Sequence, residues 1–341
     1  MKVAVYHNNS DVRIEERPIP AIGDGEILVK MKASGICGTD VMQWYRIKKG
    51  PRVLGHEMAG EIVETGNGVE QFKSGDRVFV SHHVPCYSCV YCDQGNYTAC
   101  ETLHTGNYEP GGFSEYIRVP ALNVKTGTFL LPAGMSYETA TMIEPLACAV
   151  LGQKSLDVKK GQTVVVFGSG ISGLLHIQMS KLKGAKVIAT DINKYRLNKA
   201  LEFGADHAIH ASEYSVEKLK ELNNGRLADR IVVCAGAKQA VASAVESIDK
   251  RGVILFFAVP QEDICIPSVN FWRDEISVRF SYGASPQDLK EALALIETNA
   301  VDVQKMITHK VSLSGIQEGF RMVSEAADSL KVAVIPDDSI K

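Results

Sequence analysis

The stretch VVVFGSGISG, residues 164–173, decides how the second half of this chain is read. Its β-branched start reads as a buried strand, and Gly168, Gly170 and Gly173 then follow the spacing G-x-G-x-x-G. Next come ISGLLHIQMSKLKG, helix-like with Ile171, Leu174, Leu175 and Leu182 on one face, and KVIATD, a second strand ending in Asp191. The bare glycine pattern also fits a simple turn followed by a surface aspartate. Strand, glycine turn, helix, strand and acid in that order favour a dinucleotide site. Gly168 would make the tight turn, Gly170 would admit a diphosphate to the backbone, and Gly173 would let helix and strand pack closely. The diphosphate would rest on free N–H groups where the helix opens at Ile171. Asp191 can accept hydrogen bonds from both adenosine ribose hydroxyls and would repel a 2'-phosphate, so NAD is expected rather than NADP.

Outward from this stretch, DRIVVCA, GVILFFAV, EISVRFSY and HAIH complete six strand-like runs, separated by helix-like segments such as KQAVASAVESIDKRG. That alternation predicts an α/β fold with a doubly wound parallel six-stranded sheet. Residues before about 150 have a different texture. KVAVY, EILVKMKA, AGEIVETG, DRVFV and SEYIRV are short strand-like runs between Gly, Pro, Asn and Asp turns, which predicts an all-β, barrel-like domain. The final segment, with helix-like PQDLKEALALIETN and strand-like KVAVIP, could extend either domain. SVEKLKELNNGR reads as a solvated helix face.

Composition agrees with a folded, water-soluble chain of two domains: 341 residues, 45% apolar, 23% charged and a net charge of -3. The absence of a basic field argues against a nucleic-acid or anionic-lipid partner. The N-terminus turns polar after six residues and no run reaches the roughly 18 apolar residues of a membrane span, so a cytoplasmic protein is expected.

Eight cysteines in a reducing compartment point to metal ligation or burial more than to disulfides. Cys86, Cys89, Cys92 and Cys100 are spaced C-x2-C-x2-C-x7-C, enough thiolates in one lobe to close a tetrahedral structural zinc site. Cys148, Cys234 and Cys265 lie in apolar runs and read as small buried residues. Cys37 differs, standing in the turn-like SGICGTD, with His56 and Glu57 following in VLGHEMAGEIV and Glu144 in MIEPLACAV. A thiolate, an imidazole and a carboxylate could hold zinc with an exchangeable fourth position. Taken singly, each of these residues fits an ordinary structural role.

GICGTD, VLGHEMAGEIVETG, the four-cysteine lobe, GGFSEYIRVP, EPLA and the glycine stretch through Asp191 occur in one order over most of the chain. Together they resemble the zinc-dependent medium-chain alcohol dehydrogenase family, and EPLA resembles its polyol (sorbitol) dehydrogenase branch. The resemblance implies a GroES-like β-barrel catalytic domain over 1–149 with a structural zinc lobe at about 84–102. It further implies a Rossmann NAD-binding domain over 150–283, a C-terminal return to the catalytic domain over 284–341, and an active site in the cleft between them. It implies two Zn2+ per subunit: a catalytic ion at Cys37, His56 and Glu144 that Glu57 can approach, and a structural ion at Cys86, Cys89, Cys92 and Cys100. Thr39 would bind the substrate oxygen and pass its proton on, and Asp40 would orient His56. Arg196 would lie near the adenosine end, and backbone at Ala235 and Val259 would run along the cofactor.

Many relatives carry a histidine three residues after this threonine. Here the position is Met42, which cannot relay a proton. His82 and His83 in VSHHVPC read as exposed strand-end histidines, with a place in the site as the alternative. The expected activity is NAD-linked oxidation of a secondary alcohol in a polyol, cyclitol or sugar acid, by a homotetramer or homodimer. The alternatives are threonine dehydrogenase-like oxidation of an amino alcohol, and a non-catalytic zinc-stabilised nucleotide-binding protein.

Overall fold

The computed structural model describes residues 1–260 and 262–339; the last two residues of the expected 284–341 segment lie outside it. The chain divides into two compact units, one of residues 1–147, 284–298 and 303–341, the other of 148–283 and 299–302.

The second unit contains a six-stranded parallel sheet in the spatial order His207–His210, Lys186–Asp191, Thr163–Phe167, Ala228–Val233, Ile248–Phe256, Ser277–Phe280. Thr163–Phe167 lies mid-sheet and is buried throughout, which is why its sequence is continuously apolar instead of alternating. The helix Ile171–Leu182 behind it is not amphipathic in the expected sense. Residues 173–180 are all buried, His176, Gln178 and Ser180 included, whereas Leu182 is exposed. The helix is covered on a second side. Gln153 Nε2 reaches His176 Nδ1 at 3.1 Å and Ser180 Oγ at 3.1 Å, and Gln178 Nε2 donates to the Asp302 carbonyl at 3.1 Å.

Two further expectations are corrected here. The helix in KQAVASAVESIDKRG ends at Ser247, and IDKRG begins the strand Ile248–Phe256, where β-branched Ile248 is drawn into the sheet. Cys265 is exposed, because Ile264 and Ile266 on either side turn toward the core of the unit.

His176 gives this unit a pH signature. Burial, reinforced by the charge of Lys183, pushes its imidazole down to about 3. The folded state therefore binds fewer protons than the unfolded state as pH falls below 6.5, so this group's contribution is full above that value and is lost progressively toward 3. Unfolding free energy from urea titration should fall by about 2 kcal/mol between pH 7 and pH 5 through this residue alone. His176→Asn, which keeps an acceptor for Gln153, should flatten the slope; parallel profiles for the two proteins would refute the assignment.

The first unit is built on a seven-stranded sheet. Ile307–Ser312, Lys331–Ile335, Ile27–Gly35, Glu57–Thr65, Arg77–Ser81 and Thr128–Leu130 run across it, and Tyr116–Val119 also pairs with Ile27–Gly35. Three further strands, Asp11–Glu16, Lys2–Asn8 and Arg52–Val53, form a smaller sheet. Val29, Met31, Met58, Ile62, Val78, Phe113 and Phe320 are among the side chains of its core. The last strand, Lys331–Ile335, pairs antiparallel with Ile27–Gly35 through Ala333 opposite Gly35. The C-terminal segment is thus part of this sheet. Register then sets up the site: Gly35 lies opposite Glu57, so Cys37 just past one strand and His56 just before the other share an edge.

Candidate functional site

Cys37, His56 and Glu57 offer ligand atoms that all lie within 4.8 Å of one another. The backbone turns after Ile36, whose N–H donates to the Val332 carbonyl at 3.0 Å, and Asp40 closes the turn by accepting the Cys37 N–H at 3.1 Å. Asp40 is fully buried and faces His56 Nδ1 at 3.5 Å, which leaves Nε2 free for a metal. Burial pushes the Asp40 carboxyl up, but His56, Arg46 and the Cys37 N–H outweigh it and hold the group below the usual carboxylate range. Burial likewise pushes His56 down, and the charges of Asp40 and Cys37 overcome it and raise the imidazole.

Thr39 Oγ1 lies 3.3 Å from Cys37 Sγ. Its hydroxyl also accepts from Arg46 Nη2 at 3.0 Å, while Arg46 Nε donates to the Thr39 carbonyl at 2.9 Å and Nη2 approaches Asp40 Oδ1 at 3.3 Å. Sequence reasoning missed Arg46, which is brought back onto the turn by the short helix Gln43–Arg46. Its only sequence signal was its place in a basic run. Met42 is half-buried at the N-terminal end of that helix.

Glu57 is fully buried, and both its oxygens accept from Lys331 Nζ, at 2.7 and 2.5 Å. Gly35 is required beneath it, since a Cβ there would fall 2.0 Å from Glu57 Oε2. Lys331 is 2% exposed and also lies 3.4 Å from the Ile36 carbonyl. This pair was not anticipated either, because KVAVIP reads only as a strand-like run and its sequence does not tell where the lysine ends. Glu144, at the start of the helix Ile143–Leu156, falls outside the 4.8 Å group, although its charge acts on Lys331 and on buried Tyr108. His82 and His83 are half-buried rather than exposed. Their ring centroids lie 3.6 Å apart in a tilted arrangement, and His82 lies 5.0 Å from the His56 ring. Burial, then the charges of His56, His104, Arg46 and Lys49, pushes His83 down to about 3, so it is neutral.

In the cysteine lobe, Sγ of Cys86 lies 4.0 Å from Cys92 and 3.6 Å from Cys100, and Cys89 lies 3.6 Å from Cys92. A ZnS4 tetrahedron with bonds of about 2.3 Å has edges of about 3.8 Å, so these sulfurs are spaced for one ion. Little else holds the lobe. Its core is Cys92, Cys100 and Leu103, with Cys86, Cys89 and Tyr97 packed around. Hydrogen bonds from Ser88 lower the Cys86 thiol to about 6, favouring the thiolate a metal requires.

In the second unit, Gly168 adopts φ +93°, and a Cβ there would meet Ala235 at 3.0 Å. A Cβ on Gly173 would fall 1.9 Å from the Gly168 carbonyl oxygen, the close helix–strand approach expected of the third glycine. Gly170 has open space toward the Arg196 guanidinium, 3.7 Å from where its Cβ would be, and Arg196 Nε is buried with no hydrogen-bond partner among the described residues. That unsatisfied donor beside a glycine turn suits an anionic diphosphate. Asp191, 7% exposed, accepts the Ser169 N–H at 2.7 Å and the Asn193 N–H at 2.8 Å, keeping one lone pair on each oxygen for ribose. Val259 is partly exposed, with its carbonyl near Gly236.

Known proteins place this arrangement. Residues 23–128 match the alcohol dehydrogenase GroES-like domain and residues 172–298 the zinc-binding dehydrogenase domain. The chain is 32% identical to sorbitol dehydrogenase of Bacillus subtilis, over 99% of this chain and 98% of that protein. Among solved structures, an alcohol dehydrogenase from Escherichia coli CFT073, complexed with NADH, superposes with a TM-score of 0.89 at 28% identity, covering 98% and 99% of the two chains. Galactitol-1-phosphate dehydrogenase from Escherichia coli superposes with a TM-score of 0.86 at 31% identity, covering 98% and 100%. A parallel six-stranded Rossmann sheet, a GroES-like unit, a cysteine, a histidine and a glutamate gathered at one strand edge, and full-length similarity together make this chain a member of the zinc-dependent medium-chain alcohol dehydrogenase family, in its polyol dehydrogenase branch.

Proposed function

We propose that this protein oxidises a secondary alcohol of a polyol, cyclitol or sugar acid to a ketone, passing the hydride to NAD and releasing one proton. The observation that carries the reading is the convergence of Cys37, His56 and Glu57 within 4.8 Å, beside the Thr39 hydroxyl. Cys37, His56 and Glu144 would hold the catalytic zinc, with Glu57 able to approach it, and the four lobe cysteines a second, structural zinc. The catalytic zinc would supply a Lewis acid that lowers the pKa of a hydroxyl, as it lowers that of water from 15.7 to about 7.

The remaining work belongs to the chain. Asp40 fixes the His56 ring through Nδ1, and the Arg46 bond to Oγ1 orients the Thr39 hydroxyl toward the reacting oxygen. Thr39 takes up the substrate proton. Neither neighbour can carry that proton onward, because Met42 has no proton-accepting group and a guanidinium stays protonated. Water or another group would complete the path. Gly168, Gly170 and the N–H groups at Ile171 and Gly173 would bind the diphosphate with Arg196, Asp191 the ribose, and the backbone at Ala235 and Val259 the rest of NAD. The expected setting is the cytoplasm and the expected assembly a homodimer or homotetramer.

The reading is tested by initial rates of NADH formation on sugar alcohols, inositols, aldonates and threonine, repeated with NADP. Polyol-class substrates should reduce NAD at least about tenfold faster than NADP, one unfavourable charge contact costing about 1.4 kcal/mol or more. A preference for NADP would contradict the role given to Asp191, and a preference for threonine would move the enzyme to amino alcohols.

A further inference from the structure

Between Asp40 and Glu57 the chain has no acidic residue, yet residues 46–52, RIKKGPR, carry four positive side chains in a protein whose net charge is -3. Arg46 is balanced by Asp40. Lys48, Lys49 and Arg52 are exposed, and among the described residues none of them makes an ion pair.

The geometry draws this charge toward the site. The Tyr45 ring carries two cations, Lys49 Nζ at 4.8 Å and the Arg46 guanidinium at 5.2 Å from its centroid. Lys49 Nζ also lies 3.4 Å from the Tyr45 hydroxyl. Two like charges gathered on one ring repel each other, and an anion bound beside them offsets that repulsion. Arg46 spends Nε and Nη2 on Thr39 and Asp40, and among the described residues no hydrogen bond engages Nη1. That donor is a few bond lengths from the hydroxyl assigned to the reacting oxygen.

We propose that Arg46 Nη1, Lys49 and the flanking basic residues receive an anionic group on the substrate, a carboxylate or a phosphate, a few carbons from the alcohol that is oxidised. This rests on the dehydrogenase reading and narrows its substrate class from polyols in general to acidic or phosphorylated ones. A guanidinium fork suits both groups, and Lys49 adds a point charge.

The test uses the zinc-loaded protein and three probes on one carbon skeleton: sorbitol, gluconate and sorbitol 6-phosphate. Calorimetric affinity and steady-state KM should both favour at least one anion over sorbitol by about tenfold at low salt, and the advantage should shrink in ~0.5 M salt. Lys49→Gln and Arg52→Gln should each reduce the anion-to-sorbitol ratio about threefold. Whichever anion gains most identifies carboxylate or phosphate as the group received. Equal affinity for all three at low salt, or ratios unmoved in both variants, would overturn the proposal. Turnover of sorbitol without any anion preference sinks this inference alone. Failure of all three to reduce NAD counts against the dehydrogenase reading, and the calorimetric ratios still decide this one.

Discussion

Lys331→Met is expected to destabilise the protein by about 3–5 kcal/mol, read as a lowered urea midpoint at unchanged m-value. Lys331 Nζ is buried against both oxygens of Glu57, and Glu57 is itself fully buried. Burial pushes the lysine down, but Glu57 and then Cys37 outweigh it and raise its pKa, so Lys331 is a buried cation at neutral pH. Removing the cation leaves a carboxylate with no counter-charge in a packed sheet. The companion variant, Lys331→Met with Glu57→Gln, removes both charges and should recover more than half of the loss. A loss below about 1 kcal/mol in the single variant would mean that the pair is hydrated, as exposed pairs are.

Cys37→Ala should lower turnover on the order of 10³-fold or more, since the Lewis acid and its charge stabilisation are lost together. Under the proposal of two zincs, metal analysis should fall from about two ions per chain to about one, held by the cysteine lobe. Stability should change by less than about 1 kcal/mol, because Cys37 stands in a half-buried turn and not in the core. Retention of both ions would show that Cys37 is not a ligand. Loss of both would show that the lobe depends on the first site.

These two residues mark how differently parts of the molecule announce themselves. Cys37 could be singled out because it stands apart from the four-cysteine lobe, in a glycine turn, with His56 and Glu57 downstream. Lys331 could not, because a lysine opening an apolar strand has the same sequence signature whether it ends in water or on a buried carboxylate. The same limit applies to His82 and His83, whose burial comes from neighbouring segments, and to the helix Ile171–Leu182, which is covered on a side that periodicity leaves polar. Cys265 shows the converse, an apolar run whose alternation turns its middle residue outward.

What the sequence determined by itself is local: the strand–glycine–helix unit at 164–191, the ligand spacing of Cys86, Cys89, Cys92 and Cys100, and the six strands of the parallel sheet. Each is encoded by neighbours in the chain, through backbone freedom at glycine, the reach of adjacent thiols, or continuous apolar runs. What only the tertiary structure decided is long-range. The pairing of Ile27–Gly35 with Glu57–Thr65 and with Lys331–Ile335 brings Cys37, His56, Glu57 and Lys331 to one edge. Strand register is set by the packing of the whole sheet, and no short window of sequence contains it.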